Sequence, residues 1–226
     1  MQFRVILSLF VGLGVALSLS ASPAHAASSL ADIKTDAKAD AVLTDMAQAF
    51  KRGDKKRLTA LLPQTRGHVL EPWAAYWELR ARLDEASGSD VHQFFQRYAG
   101  TYQEDRLRND WLLLLGSRRD WSGFNEDHPA YRMRDDREVR CYAITIEMLE
   151  KGPTIALADE IRRNWMAMRE ADDGCTLAAD RLYGTKFFTA LDVWRKARLM
   201  AEQKRPKTAR NAVYIVAPEV ANSVPD

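Results

Sequence analysis

Apolar side chains recur at helical spacing along almost the whole of this chain, and that period is the strongest constraint on its fold. Trp73, Tyr76, Trp77 and Leu83 share one helical face, with Arg80 inside the stripe. Val91, Phe94, Phe95 and Tyr98 repeat the i, i+3, i+4, i+7 pattern, and Leu107, Trp111, Leu114 and Leu115 do so again. Val139, Tyr142, Ala143 and Ile146 continue it, followed by Ile161, Trp165 and Met168. Phe187, Leu191 and Trp194 mark what reads as the longest helix, and Thr208 to Val216 is the last helical candidate. No run alternates with period two between hairpin turns, so no sheet is predicted.

Short breakers separate the stripes, among them Gly53-Asp54, Leu62-Pro63, Ser87-Gly88-Ser89, His128-Pro129 and Gly152-Pro153. Ser89-Asp90 and Asp135-Asp136 place capping oxygens or negative charge at two helix starts. One phrase recurs. Phe50-Lys51-Arg52-Gly53-Asp54 ends one helix and leads into Leu58 and Leu61, as Gly116-Ser117-Arg118-Arg119-Asp120 leads into Trp121 and Phe124. Asp54 and Asp120 lie close to two periods of a 34-residue helical pair apart. Helices of about 10 to 18 residues with short turns favour stacked hairpins. The expected fold is therefore all-α: an α-superhelix, a TPR-like solenoid forming an incomplete ring.

The N-terminus assigns a compartment. Met1 to Arg4 carry one positive charge, Val5 to Leu19 are largely apolar, and Ala24-His25-Ala26 forms a small-residue cleavage site. That order reads as a secretory signal peptide over residues 1–26, cut after Ala26. Its apolar core is short for a membrane anchor, which needs roughly twenty residues. The mature protein is thus expected in the periplasm and not spanning a membrane. Residues 27–38 read as a flexible entry and 39–226 as one helical domain. Lys and Arg number 33 against 31 Asp and Glu, so loss of Arg4 leaves the chain near neutrality. That balance argues against nucleic acid as a partner, which would require a cationic excess.

Two cysteines, Cys141 and Cys175, are an even count in an exported chain and favour a disulfide. A bridge between them would contribute roughly 3.5 to 4 kcal/mol by restricting the unfolded chain. Their spacing excludes a CxxC redox pair.

Self-sufficient chemistry is not apparent. His68, His92 and His128 show no HExxH or HxxxH spacing, and no phosphate-binding or dinucleotide-binding loop occurs, so no metal and no cofactor are expected. The carboxylate pairs Asp135/Asp136, Glu147/Glu150 and Asp172/Asp173 invite a glycosidase reading, but caps and solvated faces explain them without an apolar pocket to raise a pKa. Trp73, Trp77, Trp111, Trp165 and Trp194 read as core, whereas Trp121 after Asp120 remains open as a stacking platform. Two basic clusters stand out, one from Lys51 to Arg57 and one from Arg195 through Lys196 to Arg210. They fit either a surface for an anionic partner or cations near helix C-termini.

The block from Asp105 to Gly116 (DRLRNDWLLLLG), with Arg119-Asp120-Trp121 and Phe124 after it, resembles the soluble lytic murein transglycosylases. These periplasmic enzymes cleave peptidoglycan glycan strands. Pro72 to Leu83 is similar to an early helix of that family, Glu138 to Ala143 to its first-cysteine helix, Asp173-Gly174-Cys175 to its second-cysteine turn, and Val193 to Leu199 to the long helix that follows.

The resemblance is to the family's N-terminal superhelical (U-type) region and implies a helical scaffold with a Cys141–Cys175 bridge. In the family a separate lysozyme-like domain carries one catalytic glutamate, in a Glu-Ser pair followed by Gly-Leu-Met-Gln. It protonates the bond between MurNAc and GlcNAc, and a 1,6-anhydro product results. This sequence has neither motif, so no catalytic residue carries over and no substrate-binding residue is assigned. The chain reads as a truncated product, a partial gene or a fragment, not catalytic alone, with a glycan strand as the partner of the whole enzyme. The alternative is a non-enzymatic, TPR-like periplasmic adaptor that binds a protein partner.

Overall fold

The computed structural model describes residues 24–223, with side chains from Ala37 onward. Among the described residues every regular element is helical, and no strand occurs. The first half comprises α1 (Ala24–Lys51), α2 (Lys55–Leu61), α3 (Glu71–Ala81), α4 (Gly88–Arg97), α5 (Tyr102–Arg118) and α6 (Trp121–Asp127). The second comprises α7 (Arg137–Lys151), α8 (Ile155–Ala167), α9 (Gly174–Leu182), α10 (Ala190–Glu202), α11 (Pro206–Val216) and α12 (Pro218–Ala221). Short 3₁₀ turns, Leu62–Thr65 and His128–Ala130, follow α2 and α6. The leader assigned to residues 1–26 falls mostly outside the described residues, and residues 27–38 lie within α1. No described helix is long and apolar enough to cross a membrane.

Local chemistry sets the helix ends. Asp136 caps α7 by accepting from the amides of Glu138 at 2.8 Å and Val139 at 3.1 Å. At α4 the cap is Ser87, two residues earlier than expected, because Asp90 serves as the third residue of a reciprocal capping box. A second box, Thr189 with Asp192, starts α10 only at Ala190. Phe187 therefore precedes α10, whose 13 residues are fewer than the 17 of α5, so the helix expected to be longest is not.

The recurrent phrase proves to be one corner built three times. Gly53, Arg119 and Lys204 all have left-handed φ, at 68°, 60° and 58°. In the first corner the Gly53 amide donates to Phe50 O and the Asp54 amide to Ala49 O; in the second, Arg119 donates to Gly116 O and Asp120 to Leu115 O. Lys204 to Ala201 O and Arg205 to Met200 O repeat the pattern. These are the paired bonds of a Schellman helix stop. Asp54 and Asp120 then cap seven-residue helices through the amides of Arg57 and Gly123, each at 3.0 Å. Both of those helices run into a 3₁₀ turn with proline near its start, Pro63 in one and Pro129 in the other. The segments from α1 to α3 and from α5 to α7 are thus the same structural phrase.

Packing follows chain order. α1 packs on α2 and α3, α3 on α5, α5 on α4, α6 and α7, α7 on α8 and α9, α8 on α10, and α11 on α9, α10 and α12. Three apolar clusters result. Leu43, Met46, Ala49, Leu58, Leu61 and Ala74 form the first. The second centres on Leu107, Leu112, Phe124, Val139 and Tyr142, and the third on Ile144, Ile161, Trp165, Ala178, Leu182 and Phe188.

Candidate functional site

The polar residues of α5 do not face water. Glu104, Asp105, Arg108, Asn109 and Asp110 are all buried, and each is matched. Asp105 accepts from the amides of Arg132 at 2.9 Å and Met133 at 2.7 Å, which ties down the strand-like passage after the second 3₁₀ turn. Arg108 lies between Glu104 at 2.7 Å and Asp127 at 3.1 Å, and Trp111 Nε1 donates to Asp127 at 2.9 Å. The Tyr76 hydroxyl donates to Asp110 at 2.7 Å. Burial and the adjacent Asp110 charge push its pKa up to about 12. Buried ions matched in this way fix one packing arrangement, and removing one partner is costly. The network is structural.

A second network surrounds the disulfide. Cys141 in α7 and Cys175 in α9 are bridged, with Cα atoms 4.9 Å apart. Gly174 permits that approach, since a Cβ there would lie 2.8 Å from the Glu138 carbonyl oxygen. Glu138 accepts from the amides of Asp173 at 2.9 Å and Gly174 at 3.0 Å. Asp173 accepts from the Tyr142 hydroxyl at 2.6 Å and from Arg119 Nη2 at 2.9 Å. Arg119 adopts its left-handed φ where Gly53 stands in the first corner, so this ion pair joins a corner to the disulfide turn.

Beneath the turn lie two charged groups whose burial the sequence did not show. Lys196 is completely buried, and its Nζ donates to Trp165 O at 2.5 Å and to Met168 O, closing the C-terminus of α8. Burial lowers its pKa to about 8, opposed by the Asp172 charge. Asp172 is buried too. Its Oδ1 accepts from the Cys175 amide at 2.6 Å, whereas Oδ2 has no partner. Burial pushes its pKa up to about 6, against the pull of the Cys175 amide. The expectation that the three carboxylate pairs are caps or solvated faces, with no apolar pocket to raise a pKa, is thus only half met at Asp172, which caps the first turn of α9 but is buried. It holds for Asp136, a cap, and for Glu147 and Glu150, which meet Lys151 and Asn125 at 3.5 Å.

Above the turn, a groove of about 500 Å³ runs between α9 and α11. Asp173, Thr176, Leu177 and Asp180 form one wall at i, i+3, i+4, i+7 spacing; Lys207, Asn211, Tyr214 and Ile215 form the other. The opposite face of α9, with Cys175, Ala178, Ala179 and Leu182, enters the core. That buried stripe was the signal that could have revealed the groove face. Another concavity, of about 590 Å³, is lined by His128, Arg134, Arg137 and Arg140, with Arg140 matched bidentately by Glu160.

Several surface readings change. Trp194 is 46% exposed, not core, because α10 turns Val193, Lys196, Ala197 and Met200 inward instead. Trp111 and Trp165 are buried, and Trp73 and Trp77 are half-buried. Trp121 packs against Tyr142 at 6.2 Å, so the aromatic left open at sequence level is partly covered. Both basic clusters are partly neutralised, and Lys196 of the second is buried. Lys55 pairs with Asp84 and Glu85, Arg57 with Asp45, Arg198 with Glu202 and Arg205 with Glu170. The histidines are scattered: His68 meets Asp40 at 3.1 Å, His92 meets Asp127 at 3.1 Å, and His128 stacks on Phe124. Among the described residues no cluster of potential ligands could hold a metal ion.

No protein-family model matches the chain, and no curated protein is significantly similar to it. The site's chemistry must speak for itself.

Proposed function

We propose that this chain is the helical scaffold of a periplasmic lytic murein transglycosylase, holding peptidoglycan glycan strands without cleaving them by itself. One observation carries the reading. Two parts of the family resemblance hold the fold together through polar contacts: Asp105 to Trp111 interlock in the interior along α5, and Glu138 to Tyr142 meet Asp173 to Cys175 around the bridge. Those parts of the resemblance therefore fall on joints between helices and not on solvated helix faces that any sequence can mimic. A disulfide is also the natural product of an oxidising compartment, which supports export.

The test has two parts. A zymogram of the purified protein in a murein-containing gel is expected to show no clearing, and co-sedimentation with purified sacculi is expected to retain the protein in the pellet. A clearing band overturns the non-catalytic half of the proposal. Protein left wholly in the supernatant overturns the glycan half and favours the adaptor reading. One feature supports that alternative: Leu191 and Trp194, one turn apart on α10, are 56% and 46% exposed and offer an apolar spot to a protein partner.

A further inference from the structure

We infer that the groove between α9 and α11 binds a short saccharide segment, about two N-acetylhexosamine units of a glycan strand, through side chains that the protein leaves without partners. This rests on the glycan-binding reading above and locates it. Asp172 Oδ2 is buried without a hydrogen bond, and among the described residues Thr176, Asp180, Lys207 and Asn211 have no side-chain hydrogen bond or ion pair. Elsewhere among the described residues buried polar groups are matched almost without exception, as native interiors require. The buried, unpartnered Asp172 Oδ2 is thus the feature to be explained, and the more accessible Thr176, Asp180, Lys207 and Asn211 around it are free to exchange water for a ligand.

Their chemistry narrows the occupant. Carboxylates stand on one wall and an amide and an ammonium on the other, so the groove presents acceptors and donors together. A hydroxyl is both at once, and a sugar ring offers several. A phosphate polymer would meet Asp172 and Asp180, whose charges oppose it, with Arg119 already committed to Asp173 and only Lys207 to favour it. An amphipathic helix would need a continuous apolar floor, whereas here Asp173, Thr176, Asp180, Lys207 and Asn211 interrupt the apolar residues. Leu177, Ile215 and the ring of Tyr214 supply apolar surface for the faces of the sugar rings. Tyr214 is 44% exposed, and its hydroxyl is held by Asn222 at 2.6 Å. The volume lies within the roughly 300 to 1,000 Å³ range that accommodates small ligands.

The experiment uses chitotetraose, the neutral β-1,4 tetramer of N-acetylglucosamine, titrated into the isotopically labelled full chain and followed by amide NMR. Saturable shifts are expected at Thr176, Asp180 and Asn211 and their neighbours. Asp180→Ala and Asn211→Ala should each weaken binding about tenfold, while Lys56→Ala in α2, outside the groove, leaves it unchanged. Both groove substitutions are at solvent-accessible positions, and unchanged thermal melts establish that the variants fold. Shifts that never saturate, that fall outside α9 and α11, or that persist in both variants overturn the inference. Sacculus co-sedimentation separates the two levels. Wild-type retention that survives both substitutions sinks the groove and leaves the scaffold reading intact, whereas failure of wild type to sediment sinks the scaffold reading itself.

Discussion

At the scale of single residues, Asp172 decides the most. Its proton is held more tightly in the folded chain than in an unfolded one, because burial raises its pKa from 3.8 to about 6. Across that interval the native state binds more protons, so this residue's contribution makes stability fall as pH rises from about 4 to about 6. Asp172→Asn removes the effect while keeping an acceptor for the Cys175 amide. The variant is expected to match wild type near pH 4 and to gain stability relative to it by pH 6.5, by on the order of 2 kcal/mol. Lys196 then loses a neighbouring negative charge, which offsets part of the gain. Urea unfolding of both proteins at several pH values measures the difference, and parallel stability curves would refute the assignment. Neither group was legible in the sequence. Asp172 stands beside Asp173 in what reads as a solvated turn, and Lys196 sits in a run of cations. Asp172 is buried where the disulfide holds α9 on α7, and Lys196 where α10 packs on the end of α8, tertiary events with no local periodicity. Gly116 is a similar case: its place in the recurrent phrase is visible, but its role as the contact with the Tyr142 ring, where a Cβ would lie 2.3 Å away, appears only once α5 meets α7.

At the scale of elements, much more was readable. The helical period located most helices because one face of each is apolar, and breakers located the corners because glycine and proline act on the backbone directly. Boundaries slipped where capping competed with periodicity, as at Ser87 and Thr189, since a reciprocal side-chain box fixes the start whatever the apolar stripe does. Trp194 was misplaced for a related reason: α10 has two candidate apolar stripes, and the one containing Val193, Ala197 and Met200 faces inward. The repeated corner is the strongest element-level result, and it carries a quantitative expectation. Asp54 and Asp120 occupy matching backbone positions, with φ and ψ of −80° and 80° in one and −78° and 78° in the other, and accept equivalent bonds. Asp54→Ala and Asp120→Ala should therefore cost nearly the same, about 1 kcal/mol each, the usual loss of an N-cap. Denaturant midpoints of the two variants would test this equivalence. A loss at one position several times that at the other would mean that the corners resemble each other in shape but not in energetics.

At the scale of the whole molecule, helices contact mainly their near neighbours in the chain, so stability is built from adjoining interfaces more than from a single centre. The Cys141–Cys175 bridge joins α7 to α9 inside the third apolar cluster, far along the chain from the first cluster of α1, α2 and α3. It restricts a loop formed by residues 34 apart and should contribute roughly 3.5 to 4 kcal/mol. In a fold with one cooperative core, removing that contribution would lower protection everywhere alike. In this arrangement the loss should remain local: after reduction, or in Cys141→Ser with Cys175→Ser, amide hydrogen exchange should accelerate strongly in α7, α8 and α9 and little in α1 to α3. Arg119 and Asp173 supply one link across which the loosening can spread, beside the packing of α5 on α7, because that pair ties the α5 corner to the disulfide turn. Adding Asp173→Asn to the reduced protein should therefore confine the loss somewhat more to the second half, by removing that link. Uniform acceleration from α1 to α11 in the reduced protein would mean that the interfaces melt together and that chain-order packing does not govern how this protein opens.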